Sequence, residues 1–469
     1  MRSPESSLIL VVAGVLAIAG AASFAGAAPP AGPGPVPGLK PGVAASASPS
    51  AAPSAAPLGS AAAGPKRELP AAGDAMNSCV TCHANLDQAK LRTPAKEYRA
   101  SVHRDERIGC VGCHKGDPRD PTAAGAHAKG AGFEPHPTHS EVPGICGDCH
   151  SDAAFMRHLN ARLPVGQAAL FSLSMHGKLT AAGDEQAPNC ADCHGKHGII
   201  SPSSPRSPVN RLNVAKLCAG CHTDPIRMVK YKLPTDQYAK WEKSVHGEAF
   251  KKGNPNAPTC TGCHGAHSAT PPEASSVARA CGRCHEEELR FFEQSPHSKG
   301  FRNRGLAECA ACHGTHDIAV PTALLVGTTP GATCTKCHTH DEKPRRVAEE
   351  TASLLAGARE RAAAARAAVD RARESGLHIA GTSYALDRIS TAELKLRGVV
   401  HTLDPAKLEG PIAAVDEAVN EAQRLVTDAQ QMRKTERRGY FLALGLASAL
   451  FLSLGLKSIQ LDRRRRRTS

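Results

Sequence analysis

The chain has 469 residues, of which only 3% are aromatic, and Trp241 is the single tryptophan. This supply of large apolar side chains is too small for the cores of several ordinary domains. The formal net charge is +13, but five of the positive charges lie in the terminal run Arg463–Arg467, so the charge does not indicate a nucleic-acid-binding surface.

The N-terminus has the pattern of an export signal. Arg2 precedes an apolar run that ends in an Ala-Gly-Ala cleavage site at Ala27. We predict a signal peptide over residues 1–27. An uncleaved anchor is the alternative, although the apolar run is shorter than a usual membrane span. Residues 28–75, rich in Ala, Pro, Gly and Ser, are predicted to be a disordered linker.

Nine copies of Cys-x-x-Cys-His follow, and they use all 18 cysteines of the chain. Two thiols three positions apart lie on one side of a helical turn and can form thioethers to one haem, while the adjacent histidine can bind the iron. One copy alone would fit half of a zinc site or a redox dithiol equally well. Nine copies that all end in His predict nine covalently bound haems c.

We number these motifs 1 to 9 in chain order. The predicted thioether cysteines are Cys79, Cys82, Cys110, Cys113, Cys146, Cys149, Cys190, Cys193, Cys218, Cys221, Cys260, Cys263, Cys281, Cys284, Cys309, Cys312, Cys334 and Cys337. The predicted proximal iron ligands are His83, His114, His150, His194, His222, His264, His285, His313 and His338.

Eight of the motifs form four repeated units, in each of which a Ser-x-His segment lies between two motifs. Units 1 to 4 are Cys79–His114, Cys146–His194, Cys218–His264 and Cys281–His313, and motif 9 stands alone. The repeat predicts tandem dihaem modules of short helices and long loops. Haem rather than side chains would fill most of the core of this nine-haem domain, which covers residues 76–344.

The second axial position of each iron largely decides whether a haem transfers electrons or binds substrate. The first unit lacks the His-Gly-x-His continuation of the other three, and His136 or, preferably, His139 is predicted to substitute. His401 is predicted to reach one of the remaining haems, such as the ninth, with His340 and His158 as rivals. The repeat itself nominates His103, His176, His246 and His297 in the Ser-x-His segments and His197, His267 and His316 in the continuations. Iron with two histidine ligands has no open position and passes electrons.

After motif 9 the composition changes to Ala, Glu and Arg, and residues 345–438 are predicted to form a helical stalk or bundle. The first helix is expected to end near Gly376, and the second to run from about Thr382 to His401. A third helix, from about Leu408, is expected to continue into the apolar segment that follows.

Residues 439–457 are predicted to be a transmembrane helix, because the stretch from Gly439 to Leu456 is uncharged and near the lower length limit of a span. The basic tail 458–469 favours the cytoplasmic side. We therefore expect an inner-membrane protein with one C-terminal span and its haem domain in the periplasm.

The doubled motifs, the intervening Ser-x-His-Gly segments, the Cys-His-Gly-x-His continuations and the alanine-rich tail resemble the doubled-CxxCH, cytochrome c-three type family of multihaem cytochromes. The likeness covers about Cys79 to Arg438. It implies an electron carrier of anaerobic respiration. Such a protein would receive electrons from the quinol pool, through a quinol dehydrogenase or a b-type cytochrome. It would pass them to other cytochromes, a terminal reductase or extracellular acceptors.

Two classes of function are compatible with these residues. The prediction is an electron carrier without catalytic residues or a nucleic-acid partner. The alternative is a reductase of nitrite, hydroxylamine or a sulfur oxyanion, which needs one five-coordinate haem. Many multihaem nitrite reductases mark that haem with Lys in place of the motif His, and no Cys-x-x-Cys-Lys occurs here.

Overall fold

The structure, a computed structural model, describes residues 78–270, 277–377 and 379–468. Within these ranges the regular elements are helices, and no strand occurs. The predicted mainly α fold with extensive loops is therefore confirmed. The predicted signal peptide and linker lie outside the described residues.

The region that carries the motifs consists of short helices joined by loops. The longest, α2, has only 10 residues, and isolated helices of this length are marginal in water, so tertiary contacts must hold them. The helices are α1 (Ser78–Ala84), α2 (Ala89–Tyr98), α3 (Val102–Asp105), α4 (Val111–His114), α5 (Ala123–Ala126), α6 (Val142–His150), α7 (Ala153–Leu159), α8 (Gln167–Leu173), α9 (Met175–Ala181), α10 (Cys190–His194), α11 (Val214–His222), α12 (Pro225–Val229), α13 (Gln237–Lys243), α14 (Val245–Lys251), α15 (Cys260–His264), α16 (Val277–Gly282), α17 (Glu286–Glu293), α18 (Pro296–Arg304) and α19 (Glu308–His313).

Several of these helices end at the motif histidine, and a left-handed residue then turns the chain. Gly195, Gly265 and Gly314 follow motifs 4, 6 and 8 with φ of 87°, 79° and 79°. This conformation is readily adopted only by glycine, which explains the His-Gly-x-His continuations. In unit 1 the same position is Lys115, with φ 58° and ψ −149°, so its backbone is strained.

The Ser-x-His segments begin helices α3, α9, α14 and α18, and their serines are buried. The Oγ of Ser174 accepts a hydrogen bond from the Gly177 amide at 3.0 Å, and the Oγ of Ser244 accepts one from the Gly247 amide at 3.2 Å. Ser174 and Ser244 thus cap helices whose second residue is the histidine, and the Oγ of Ser101 accepts a hydrogen bond from the His103 amide at 3.2 Å. Ser295 precedes α18 without a capping hydrogen bond from its side chain. Where it is present, the cap fixes the direction in which the imidazole leaves the backbone.

Three helices after motif 9 form a bundle. They are α20 (Glu342–Glu374), α21 (Thr382–Val399) and the first part of α22 (Glu409–Thr468). Their core consists of small residues such as Ala358, Ala385 and Ala422 around Ile389 and Val415, all fully buried. The predicted end of the first helix near Gly376 and the predicted start of the second at about Thr382 agree with these bounds. The second helix ends two residues before His401, which lies in the 3₁₀ turn Val400–Thr402.

Helix α22 is 60 residues long and continues from the bundle into the apolar segment. The helix is long and apolar enough to cross a membrane, with a mean hydropathy of 1.9 over its most apolar window, and none of that window is buried. Large side chains such as Phe441, Leu446 and Leu452 are exposed there.

Candidate haem-binding sites

Each of the nine motif histidines lies next to one further histidine. The ring centroids of the two imidazoles are 5.9 to 6.3 Å apart in every case. The pairs, motif histidine first, are His83 with His127, His114 with His197, His150 with His103, His194 with His267, His222 with His176, His264 with His316, His285 with His246, His313 with His401, and His338 with His297.

This spacing fits an iron between the two rings. A metal to imidazole bond is about 2 Å long, so the centres of two rings that bind one metal from opposite sides are separated by about 6 Å. Direct ring stacking would bring the centroids closer, as in the pair His127 and Phe133 at 4.4 Å. The donor set of two imidazoles and two cysteines at each motif is that of a c-type haem with histidine on both faces.

Burial favours the neutral form, which binds metal, in eleven of these rings. Hydrogen bonds also orient several of them. Nδ1 of His114 lies 2.8 Å from the carbonyl oxygen of Glu134, and Nδ1 of His401 lies 3.0 Å from that of Gly398. A ring that donates from Nδ1 presents Nε2 to a metal. Burial is the main cause that lowers the pKa of His103, His150, His176, His194, His197, His222, His246, His267, His297, His313 and His316.

The structure brings eight of the nine nominated distal histidines to a motif histidine. His139 is the exception, because its Nε2 lies 3.2 Å from Oδ2 of Asp192, and its carbonyl oxygen accepts a hydrogen bond from the Asn189 side chain at 3.1 Å. Asn189 and Asp192 form the capping box of α10. His139 therefore supports the helix of motif 4 instead of facing an iron site.

His127 takes the place that the sequence assigned to His139. Its ring is 6.0 Å from that of His83 and stacks on Phe133. It lies in an insertion between motifs 2 and 3 that has no counterpart in the other units, so the repeat gave no signal for it. Phe133, on which its ring stacks, is the aromatic residue nearest to it in the sequence.

His401 lies beside the proximal histidine of motif 8, not that of motif 9. The partner of motif 9 is His297, from the Ser-x-His segment of unit 4. In the part of the chain that the structure describes, none of His136, His158 and His340 pairs with a motif histidine.

The pairs cross from one repeated unit to the next. The Ser-x-His histidine of each unit lies beside the first motif of the following unit, as His103 does with His150. The histidine that follows the second motif of units 2, 3 and 4 lies beside the second motif of the unit before, as His197 does with His114. A backbone hydrogen bond from Val102 to Ile199, 2.8 Å long, also joins units 1 and 2. No unit contains a complete pair made of its own repeated residues.

The cysteines connect consecutive motifs in one line. Within each unit the first cysteines of the two motifs lie close enough to interact, as Cys146 does with Cys190. Between units the second cysteines are close enough to interact electrostatically, as Cys193 is with Cys221. The nine motifs therefore follow one another in space in their sequence order.

Residues 181–226 match the family model described as the doubled CXXCH motif. The match contains motifs 4 and 5, which belong to neighbouring units and are joined by the contact between Cys193 and Cys221. No curated protein and no solved structure matches the chain. The family match over residues 181–226 and the repeated haem-attachment motifs support a multihaem c-type cytochrome, an electron carrier with covalently bound haem c.

Proposed function

We propose that this cytochrome binds nine haems c and holds each iron between the two histidines of one of the nine pairs. The observation that carries the proposal is the spacing of the nine imidazole pairs, 5.9 to 6.3 Å. Haem c, when bound, supplies an iron that accepts and releases one electron. The paired histidines would hold the iron, and where the rings are partly buried they would limit the access of other ligands.

The proposed role is electron transfer along the line of motifs. Its support is that histidine pairs join each unit to the next, as His103 with His150 and His197 with His114, and that cysteines of consecutive motifs lie close together. A reductase needs an iron with an open position. A second histidine beside each motif histidine disfavours the alternative reductase of nitrite, hydroxylamine or sulfur oxyanions.

The proposed location is the inner membrane, with residues 439–457 as the single span and the haems in the periplasm. The exposed apolar face of α22 supports the span, and the basic run Arg463–Arg467 supports a cytoplasmic C-terminus. In this location a quinol dehydrogenase or a b-type cytochrome would donate electrons. Other cytochromes, a terminal reductase or extracellular acceptors of anaerobic respiration would receive them.

The test is an EPR spectrum of the air-oxidised, detergent-purified protein, with the haem content determined on the same sample. The expected result is nine haems per chain, all low-spin and ferric. One high-spin haem that responds to nitrite, hydroxylamine or cyanide would instead favour the reductase.

A fractionation experiment tests the location separately. Spheroplasts should retain the protein in the membrane fraction, and external protease should cut the haem region but not the arginine tail. A variant that ends after Arg438 is the matched control and should be released with the periplasm. Protection of the haem region from protease would contradict the proposed orientation.

A further inference from the structure

In the described residues, the bundle contacts the haem-binding region at the end formed by the start of α20, the end of α21 and the turn before α22, where Oγ1 of Thr328 also donates to Oε1 of Glu349 at 2.6 Å. Gly398 packs so close to the Phe291 ring that a Cβ atom at this position would lie 3.4 Å from it. Nζ of Lys407 donates a hydrogen bond to Oε1 of Gln294 at 3.3 Å. These contacts involve the end of α21 and the turn before α22. Motif 8 lies at the same end, because its histidine is paired with His401.

The opposite end of the bundle leads to the apolar segment. There the guanidinium of Arg433 donates to the Ser375 carbonyl oxygen at 2.7 Å, so α22 is still attached to the end of α20 only a few residues before Gly439. The buried core extends along α22 as far as Val426. Between the two ends of the bundle, α22 is therefore packed against α20 and α21 along most of its length.

Its length follows from helix geometry. An α-helix rises about 1.5 Å per residue, so the segment from Glu409 to Arg438 extends about 45 Å. Ion pairs between helices stiffen it, such as Arg361 with Asp416 at 2.6 Å and Arg388 with Glu417 at 3.0 Å. A three-helix bundle with this core resists bending more than a single helix does.

We propose that the bundle is a rigid spacer that holds the C-terminal end of the haem line about 45 Å from the membrane surface. The inference rests on the proposed function, that is, on bound haem and on a membrane span. Electron transfer weakens exponentially with distance, so a redox group inside the bilayer is too far from motif 8 for direct transfer. Of the two donors proposed above, this favours a quinol dehydrogenase that carries a redox group outside the bilayer over a b-type cytochrome whose haem lies inside it. At each step the redox group of the donor loses one electron, one ferric haem iron of this chain becomes ferrous, and no proton needs to move.

The experiment is resonant X-ray reflectivity at the iron edge, on the full-length holoprotein inserted into a supported phosphatidylcholine bilayer. It measures the distribution of iron along the membrane normal without any assay of activity. The wild-type iron should be separated from the headgroups by a layer without iron.

Two variants sharpen the measurement. Deletion of Thr427–Arg433 should bring the iron about 10 Å closer, and insertion of a second copy of that segment should move it about 10 Å away. Both changes insert or remove nearly two whole turns, so the bundle keeps its orientation about the helix axis. Iron that begins at the headgroups, or that does not move in either variant, would overturn the spacer.

Failure of the proposed function would give different results. Loss of low-spin iron in the same sample would count against the ligand pairs, and a protein that does not insert would overturn both the span and the spacer. Inserted, low-spin protein with iron next to the headgroups would overturn the spacer alone.

Discussion

The imidazole of His401 lies 6.0 Å from that of His313, with 29° between the ring planes, although His401 belongs to the helical bundle and His313 to motif 8. The bundle thus contributes one ring to a proposed iron site and also connects to α22. Nδ1 of His401 is oriented by the Gly398 carbonyl oxygen at 3.0 Å. The site therefore depends on the end of α21.

Replacement of His401 by glycine should convert one haem to the high-spin form without loss of its covalent attachment. EPR and haem content measure the two effects, and added imidazole should restore the low-spin signal by filling the space left by the side chain. His340→Gly is the control and should leave all haems low-spin. A low-spin spectrum of the His401 variant would remove the ligand assignment.

Replacement of His176 by alanine tests the pairing between units, because this histidine of unit 2 lies beside His222 of unit 3. One high-spin haem is expected. If Cys218 and Cys221 are also replaced by alanine, haem 5 is not attached and the high-spin signal should disappear. The same His176 change combined with Cys146→Ala and Cys149→Ala should retain the signal. The opposite pattern would assign His176 to its own unit.

His127 and His139 form a matched pair for motif 1. His127→Ala should produce one high-spin haem, because its ring lies 6.0 Å from that of His83. His139→Ala should leave all haems low-spin, because its ring contacts Asp192. Low-temperature EPR of the two variants distinguishes the assignments, and high-spin iron in the His139 variant alone would reverse them.

Lys115→Gly should stabilise the protein by about 1 kcal/mol, because it removes strain of about 1–3 kcal/mol from a residue with φ 58° while making the unfolded chain more flexible. The midpoint of guanidinium unfolding, followed by far-ultraviolet circular dichroism, should increase. Lys129→Gly has no such strain to remove and should lower the midpoint slightly. Equal effects of both changes would argue against strain at Lys115.

Ile389→Ala should lower the free energy of unfolding by about 2–5 kcal/mol, because the side chain is fully buried in the bundle core. Leu394, on the same helix, is 60% exposed, and Leu394→Ala should change it by less than about 0.5 kcal/mol. Since His401 follows this helix, only the Ile389 variant should also acquire a high-spin haem on mild warming. High-spin iron in neither variant would show that the His401 site does not depend on the bundle core.

The sequence predicted the elements that depend on local pattern. The ends of α20 and α21 were predictable because Gly376 and the change in composition mark them. The thioether cysteines follow from spacing alone. His103 and His176 could be nominated because the Ser-x-His segment repeats.

The partners of these histidines could not be predicted in the same way. His176 is closer in sequence to motifs 3 and 4 than to His222, with which it is paired, and only the three-dimensional packing of the units determines that choice. His127 lies in a segment that does not recur in the other units. His139 contacts Asp192 rather than a motif histidine. His401 was nominated, but its contact with motif 8 follows from the docking of the bundle.

The sharing of histidines between neighbouring units also bears on how such a chain lengthens in evolution. A duplicated unit would place its Ser-x-His histidine beside the following unit, as the original unit did. It would in turn receive the Ser-x-His histidine of the unit before it. Two more haems would be added while every older iron kept the same kind of partner. Only motifs 1 and 8 need a histidine from outside the repeat, and here His127 and His401 supply it. Motif 9 occupies the position of the first motif of a further unit, because its histidine pairs with His297 from the Ser-x-His segment of unit 4.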